Sequence, residues 1–299
     1  MFNRILVPLD GSELSESALP YAEELAGAFN SELELLSVCE SSQNEYRHMY
    51  QLYLQKIAEQ ARNHIKAYPA RNASLTASVK IVIMDGEPAA QIIDYAEKNE
   101  FGLVIMVSHG RSGIMPWAMG SIATRVAERV DRPVLFIRAG AARPKTGKGE
   151  MFSKILTPLD GSEAGEAILP YIKELASQFD TEVTLFQTIE PGQHVFTVGG
   201  LSYISFPEPE VDALIARAKQ YLKKTGRKMA ENRATVRYEV KRGNAAHEII
   251  KYADETKTQL VAFSSQRHSG TGHHDNITHK ILQAGHIPLL LVRVAEPKS

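Results

Sequence analysis

Residues 4–40 read RILVPLDGSELSESALPYAEELAGAFNSELELLSVCE, and residues 154–190 read KILTPLDGSEAGEAILPYIKELASQFDTEVTLFQTIE. About half of these positions are identical, at a constant offset. Two further pairs follow in the same order: VKIVIMDGEPAAQIIDYAEKNE (79–100) with VRYEVKRGNAAHEIIKYADETK (236–257), and RPVLFIR (132–138) with IPLLLVR (287–293). The chain is one unit written twice, so each copy serves as a control for the other.

Within each copy RILVPLD and KILTPLD are β-rich runs too short for a helix, closed by the turn former Asp-Gly-Ser. The segment after the turn carries Leu14, Ala18, Tyr21, Ala22 and Leu25 at helical spacing, matched by Ile168, Tyr171, Ile172 and Leu175. Ser12 and Ser162 are placed to cap these helices, with Glu13, Glu16, Glu163 and Glu166 near the positive end. Beyond come ELELLSV or EVTLFQT as a second strand and long helices over about 46–67 and 208–230. A third strand, a helix, a fourth strand (LVIMVS, LVAFSS), a last helix and a final strand complete each copy. Alternating β and α of this kind predicts an α/β fold: two tandem open doubly wound parallel five-stranded sheets with helices on both faces. Expected units are 1–140 and 153–299, joined by a linker at 141–152 within the small, basic, Gly- and Pro-containing stretch AGAARPKTGKGEMFS. The copies differ most in PGQHVFTVGGLSYISFPEPE (191–210), which leaves open a lid, a contact surface or a flap packed on its own unit.

With 299 residues, 43% hydrophobic and 23% charged residues and a formal net charge of −1, the composition is that of a globular protein without a basic field for nucleic acid or membrane. The single cysteine, Cys39, ends an apolar run and reads as a buried small residue. No stretch is built like a signal peptide or a membrane span, which predicts a cytoplasmic protein.

Residues 103–138, LVIMVSHGRSGIMPWAMGSIATRVAERVDRPVLFIR, run strand, glycine-studded loop, helix, strand. Gly110, Gly113 and Gly120 remove side chains where backbone could approach phosphate oxygens, and Gly120-Ser121 precedes a helix whose free N–H groups point back at the loop. Ser121 is placed to cap that helix. Pro8 and Asp10 end the first strand, Val38 the second, and Met106 and Val107 the fourth, so all should converge on one crevice. The rival reading makes Asp10 a turn and cap residue and the glycines loop punctuation. His109 and Arg111 stand between ligand contact and solvated surface, and Trp117 with its neighbouring methionines reads as packing or a hydrophobic lid.

This segment resembles the nucleotide-binding signature of the universal stress protein family: a glycine, two residues, a second glycine, nine residues, then Gly-Ser or Gly-Thr. Here Gly110 is followed by RSGIMPWAM and Gly120-Ser121, while Val107 stands where the first glycine is expected. The opening VPLDGS is also similar to the family. The resemblance implies that Asp10 helps hold the adenosine part of a ligand while the loop and the helix start, with Ile122, hold phosphates. The ligand it implies is ATP, ADP or AMP, with or without Mg2+; no metal is expected on the protein's own residues. Family pairing through last strands implies an internal pseudo-dimer through 133–138 and 288–293, with a homodimer of whole chains as a further possibility.

The second copy departs from this signature. Its loop reads LVAFSSQRHSGTGHHDNITHKILQAGHIPLLLVR, so that Gly110 corresponds to Arg267 and Gly120-Ser121 to Asp275-Asn276. A carboxylate where phosphate would sit is repulsive. Asp160 and Pro158 persist, which leaves room for a nucleoside or another small molecule. His268, His273, His274 and His279 show no standard zinc spacing and read as a solvated loop cluster rather than a metal site. No GxxxxGK[ST] and no recognisable set of nucleophile, base and orienter occurs. The first reading is an adenine-nucleotide-binding stress-response regulator, acting on a regulatory protein that the sequence does not identify. The alternatives are a slow ATPase or adenylyl or phosphoryl transferase, and a non-binding scaffold.

Overall fold

In the first half, strands β1 (Arg4–Pro8), β2 (Glu32–Cys39), β3 (Val79–Asp85), β4 (Leu103–Val107) and β5 (Val134–Ile137) alternate with helices α1 (Leu19–Phe29), α2 (Arg47–Ala67), α3 (Pro88–Lys98) and α4 (Ser121–Arg129). The second half has strands β6 (Lys154–Pro158), β7 (Glu182–Ile189), β8 (Gly192–Thr197), β9 (Gly200–Ser205), β10 (Thr235–Arg242), β11 (Leu260–Gln266) and β12 (Leu289–Val294). Its helices are α5 (Glu163–Glu166), α6 (Leu169–Gln178), α7 (Glu208–Arg227), α8 (Ala245–Thr256) and α9 (Asn276–Ala284). The structure, a computed structural model, describes residues 1–39, 46–67, 78–108, 119–138, 150–197, 200–229, 234–266, 276–284 and 287–294.

Ten of the strands form one sheet in the order β10-β7-β6-β11-β12-β5-β4-β1-β2-β3. Each five-stranded half is parallel, and the halves join where β12 runs antiparallel to β5. Side chains alternate across the strands, so Ile5, Val7, Leu33 and Leu35 pack under α1 and α2 on one face. Leu6, Leu36 and Val104 pack under α3 and α4 on the other. The faces extend through the seam without interruption, with Leu135 and Leu290 on the first and Phe136, Leu289 and Leu291 on the second.

At the seam Leu135 is directly opposite Leu290, its own counterpart in the repeat, so the register itself encodes a pseudo-twofold axis. Two arginines obey the same symmetry. Arg138 Nη2 donates to the carbonyl of Ile281 in α9, 2.8 Å away, and its counterpart Arg293 donates from Nε to the carbonyl of Ala127 in α4, also 2.8 Å. Each cation thereby meets the negative half of a helix in the opposite unit. Arg138 is 6% exposed, and burial draws its pKa down to about 10. An aromatic layer adds to the junction, with Phe29 and Phe179 at 6.2 Å and Tyr21 and Phe152 at 6.2 Å between ring centroids. The Met1 ammonium group lies 2.6 Å from Glu174.

Two local expectations need correction. The helix expected to start after Ser12 is split: a 3-10 turn at Ser15–Ala18 comes first, and α1 begins only at Leu19. Pro20 has no N–H to donate to the Glu16 carbonyl, which prevents one continuous helix, and Pro170 does the same after α5. Ser12 Oγ accepts from Ser15 N–H and Ser162 Oγ from Gly165 N–H, so both serines cap these short first turns. The segment 191–210 contains β8 and β9, an antiparallel pair running from Gly192 opposite Ser205 to Thr197 opposite Gly200. Two residues connect these strands, a spacing that marks a hairpin, and the glycine-containing VGG was the signal for it.

Candidate functional site

Chain order in the first half moves outward from β1 to β3 and then returns to β4 on the other side of β1. That reversal opens a crevice at the carboxyl ends of β1 and β4, where loops leave in opposite directions. Leu9 N–H donates to Leu36 O at 2.8 Å and Ser37 Oγ to Leu9 O at 2.7 Å, which fixes the backbone just before Asp10. Asp10 Oδ1 accepts from Ser12 N–H (3.0 Å) and Ser12 Oγ (2.6 Å) across Gly11, whose φ of 80° favours glycine. Asp160 repeats these contacts with Ser162 across Gly161 at φ 89°. The turn-and-cap reading of this aspartate is therefore satisfied in both halves, and a ligand role would come in addition to it.

On the β4 side, Ser108 N–H donates to Ile137 O and Gly120 N–H to Ser108 O, at 2.8 and 2.7 Å. These bonds bring the start of α4 back over the end of its own strand. Gly120 is the N-cap, with φ −62° and ψ 151°, and has no side chain with which to cap; Thr124 N–H already bonds to Gly120 O. Ser121 is consequently the first helical residue and not the cap expected from the sequence. The first-turn N–H groups of Ser121, Ile122 and Ala123 lie at the positive end of α4.

The crevice between these elements has a volume of about 230 Å³. Of the residues singled out from the sequence, Pro8, Asp10, Val38, Met106, Val107, Gly120, Ser121 and Ile122 line it together. His109, Gly110, Arg111, Gly113 and Trp117 lie outside the described residues. Sequence reasoning missed Ser15, Leu36, Tyr50, Pro88, Ile92 and Ser108 in the wall. For Leu36 and Ile92 the signal was periodicity, which put them on the α3 face; nothing local pointed Tyr50 of α2 towards the crevice. Cys39, beside Val38, is buried, and that burial, with the Asp85 carboxylate adding to it, raises its thiol pKa. It is a packing residue, not a nucleophile.

The same position in the second half carries a crevice of about 710 Å³. Pro158 and Asp160 stand where Pro8 and Asp10 do, but Phe186 replaces Leu36, Thr188 replaces Val38, Phe263 replaces Met106 and Ser264 replaces Val107. Arg267, His268, His273, His274 and Asp275 lie outside the described residues, as does the side chain of His279. Among the described residues no group of three or more histidine, cysteine or carboxylate side chains is placed to hold a metal. No helix of the described residues is long and apolar enough to cross a membrane.

A sequence profile of the Universal stress protein family matches residues 1–138 and again residues 151–293. The chain belongs to the universal stress protein family. Relatives of one unit each match about half of it. Universal stress protein YxiE of Bacillus subtilis (strain 168) is 27% identical over 148 residues, covering 46% of this chain and 100% of its own length. Universal stress protein MJ0531 of Methanocaldococcus jannaschii is 25% identical over 141 residues, covering 46% of this chain and 83% of its own. Across both units, the crystal structure of a universal stress protein from Archaeoglobus fulgidus DSM 4304 superposes with a TM-score of 0.69, covering 98% of this chain and 99% of that one at 16% identity. The paired arrangement of two universal stress protein units in one chain is thus a fold shared with a solved structure.

Proposed function

We propose that the first-half crevice binds an adenine nucleotide, ATP or its hydrolysis products ADP and AMP, and that the protein is a nucleotide-responsive regulator. The observation that carries this reading is the convergence of three unlike features at one switch point: an apolar slot, a carboxylate at its edge and an uncapped helix start. Val38, Leu36, Met106 and Ile92 offer apolar walls to a purine. Asp10 is placed to accept from a ribose hydroxyl, and the first turn of α4 presents backbone donors to phosphate.

Magnitudes assign the work. The end of a helix contributes about 0.3–2 kcal/mol, whereas micromolar binding requires about 8 kcal/mol. Burial of ~150 Å² of apolar ring surface supplies about 4 kcal/mol, so the slot dominates and the helix end confers selectivity for the anion. Arg111 and His109 follow β4 directly in sequence and are proposed to meet the phosphates, with any accompanying Mg2+ carried by the nucleotide. Occupancy would shift the chain between two states, and a partner protein would read the result.

Calorimetric titration of the full chain with Mg·ATP tests this. One site per chain is expected. Gly120→Asp, which imports the acidic residue of the second copy, should weaken ATP at least ~100-fold, because like charges ~4 Å apart repel by about 4 kcal/mol near a protein surface and a hundredfold requires about 2.7 kcal/mol. Aspartate is a good N-cap, so the fold should be retained. Normal ATP binding by this variant would refute the phosphate assignment.

A further inference from the structure

Helix α4 lines the first crevice with its start, yet its nine residues span only about 13 Å. A helix this short has little stability of its own, so its direction depends on the groups that hold its two ends. The start is held from within the first half, by the bond from Gly120 N–H to Ser108 O at 2.7 Å. The end is held from the second half. The geometry points to Arg293 of β12 as a positioning residue for the first crevice: it caps α4 across the seam, and so makes the second half, which lacks the glycine signature, a working part of the first site.

The carbonyls at the end of α4 show why the cap matters. In an unbroken helix Ala127 O would accept from Asp131 N–H, four residues on. Val130 leaves the helical conformation at ψ 136°, and Asp131 N–H turns instead to Glu97 Oε1 at 3.3 Å. Arg293 Nε takes up the Ala127 carbonyl at 2.8 Å. Ala127 is buried, so a carbonyl there without a donor would be costly. A cation at this end also complements the helix dipole, whose positive end faces the crevice at Ser121, Ile122 and Ala123.

Arg293 is held in turn by the second half. Its Nη1 donates to Ser265 Oγ at 3.3 Å, and the same oxygen accepts from Thr278 Oγ1 of α9, also at 3.3 Å. Ser265 and Thr278 belong to the wall of the second crevice. Ser265 is also the repeat counterpart of Ser108. One helix is thus fixed at both ends by the same serine position of the two copies, directly in the first and through an arginine in the second. The return path runs through Arg138, which follows Ile137, the acceptor for Ser108 N–H, and donates to Ile281 O of α9 at 2.8 Å. A circuit of contacts therefore leads from the first wall through Arg138 to α9, and back through Ser265 and Arg293 to α4.

This inference rests on the nucleotide reading for what α4 holds, but not for how α4 is held. Calorimetric titration of the full chain with ATP and with adenosine tests it. Arg293→Met should weaken ATP about ten-fold and leave adenosine within about two-fold, since only the phosphates meet α4. Ser265→Ala, which alters no charge and no residue of the first half, should act in the same direction, and the double variant should bind ATP no worse than Arg293→Met alone. ATP affinity unchanged by Arg293→Met, equal losses for the two ligands, or additive losses in the double variant would each overturn the inference. A wild-type chain that binds neither ligand would refute the nucleotide reading instead. Hydrogen exchange then decides in the ligand-free chain: Arg293→Met should speed the amides of residues 124–129 about ten-fold relative to those of β1, and an unchanged ratio would overturn the positioning role.

Discussion

At the seam, Leu135 faces Leu290, its own repeat partner, and Arg138 and Arg293 each bond a helix carbonyl of the opposite unit. At the two crevices, by contrast, Val38 stands against Thr188, Val107 against Ser264 and Leu36 against Phe186. At the seam Val134, Leu135 and Phe136 of one copy lie opposite Leu291, Leu290 and Leu289 of the other, so a change in one copy meets a residue of the other half. The described lining of each crevice comes from its own copy alone, so a substitution there changes the wall of that crevice only. Repetition of the unit with pairing of the last strands therefore gives one continuous sheet carrying two separately walled crevices.

The largest effect is expected where the comparison is most symmetric. Phe136 is fully buried at the seam and pairs with Leu289 of the other half. Phe136→Ala should cost about 3–5 kcal/mol, read as a lower urea midpoint, and both halves should unfold in a single transition. Two separate transitions, one unshifted, would show that the halves are stable independently and that the seam couples them weakly.

Next come the arginines, which share a position but not an environment. Arg293 is partly exposed and donates to both Ala127 O and Ser265 Oγ, whereas the Nε of buried Arg138 has no partner among the described residues. Arg293→Met should cost about 1 kcal/mol. Arg138→Met should be neutral or stabilising, because a buried guanidinium incurs desolvation that one good carbonyl contact barely offsets. Parallel denaturation curves decide this, and equal losses in the two variants would mean that buried Arg138 is as well compensated as its counterpart.

Much of this was legible in the sequence. The offset between RILVPLD and KILTPLD, with strand and helix periods behind each, sufficed for the parallel halves and both faces of helices. Pro8, Asp10, Val38, Met106 and Gly120 reached one crevice because strand ends in an open α/β sheet must converge at the switch point. Three features were missed. Pro20 broke a helix whose apolar period runs straight through it, and a hairpin lay in a segment read only as a long loop. Tyr50 and Gln187 entered the crevices through long-range packing of α2 and a single replacement in β7, neither of which leaves a local pattern.

The smallest effect sharpens the comparison at the outer strands. Glu32 of β2 accepts from Lys80 of β3 at 2.8 Å, and Glu182 of β7 from Arg237 of β10 at 2.8 Å, the same cross-strand pair with one cation exchanged. The hydrogen bond from Lys80 lowers the pKa of Glu32; partial burial opposes it, and the charges of Lys80 and Arg4 reinforce the lowering. A carboxylate with a lowered folded pKa binds fewer protons folded than unfolded, so its contribution is present above the ordinary value of 4.5 and is lost as pH falls through the folded pKa. Glu32→Gln should therefore destabilise the protein by only about 0.2–1 kcal/mol near neutral pH, since the pair is solvent-accessible, and the gap from wild type should close in acid. Added salt should narrow the same gap at neutral pH. A gap that persists unchanged below the folded pKa of Glu32 would show that the loss does not come from its charge.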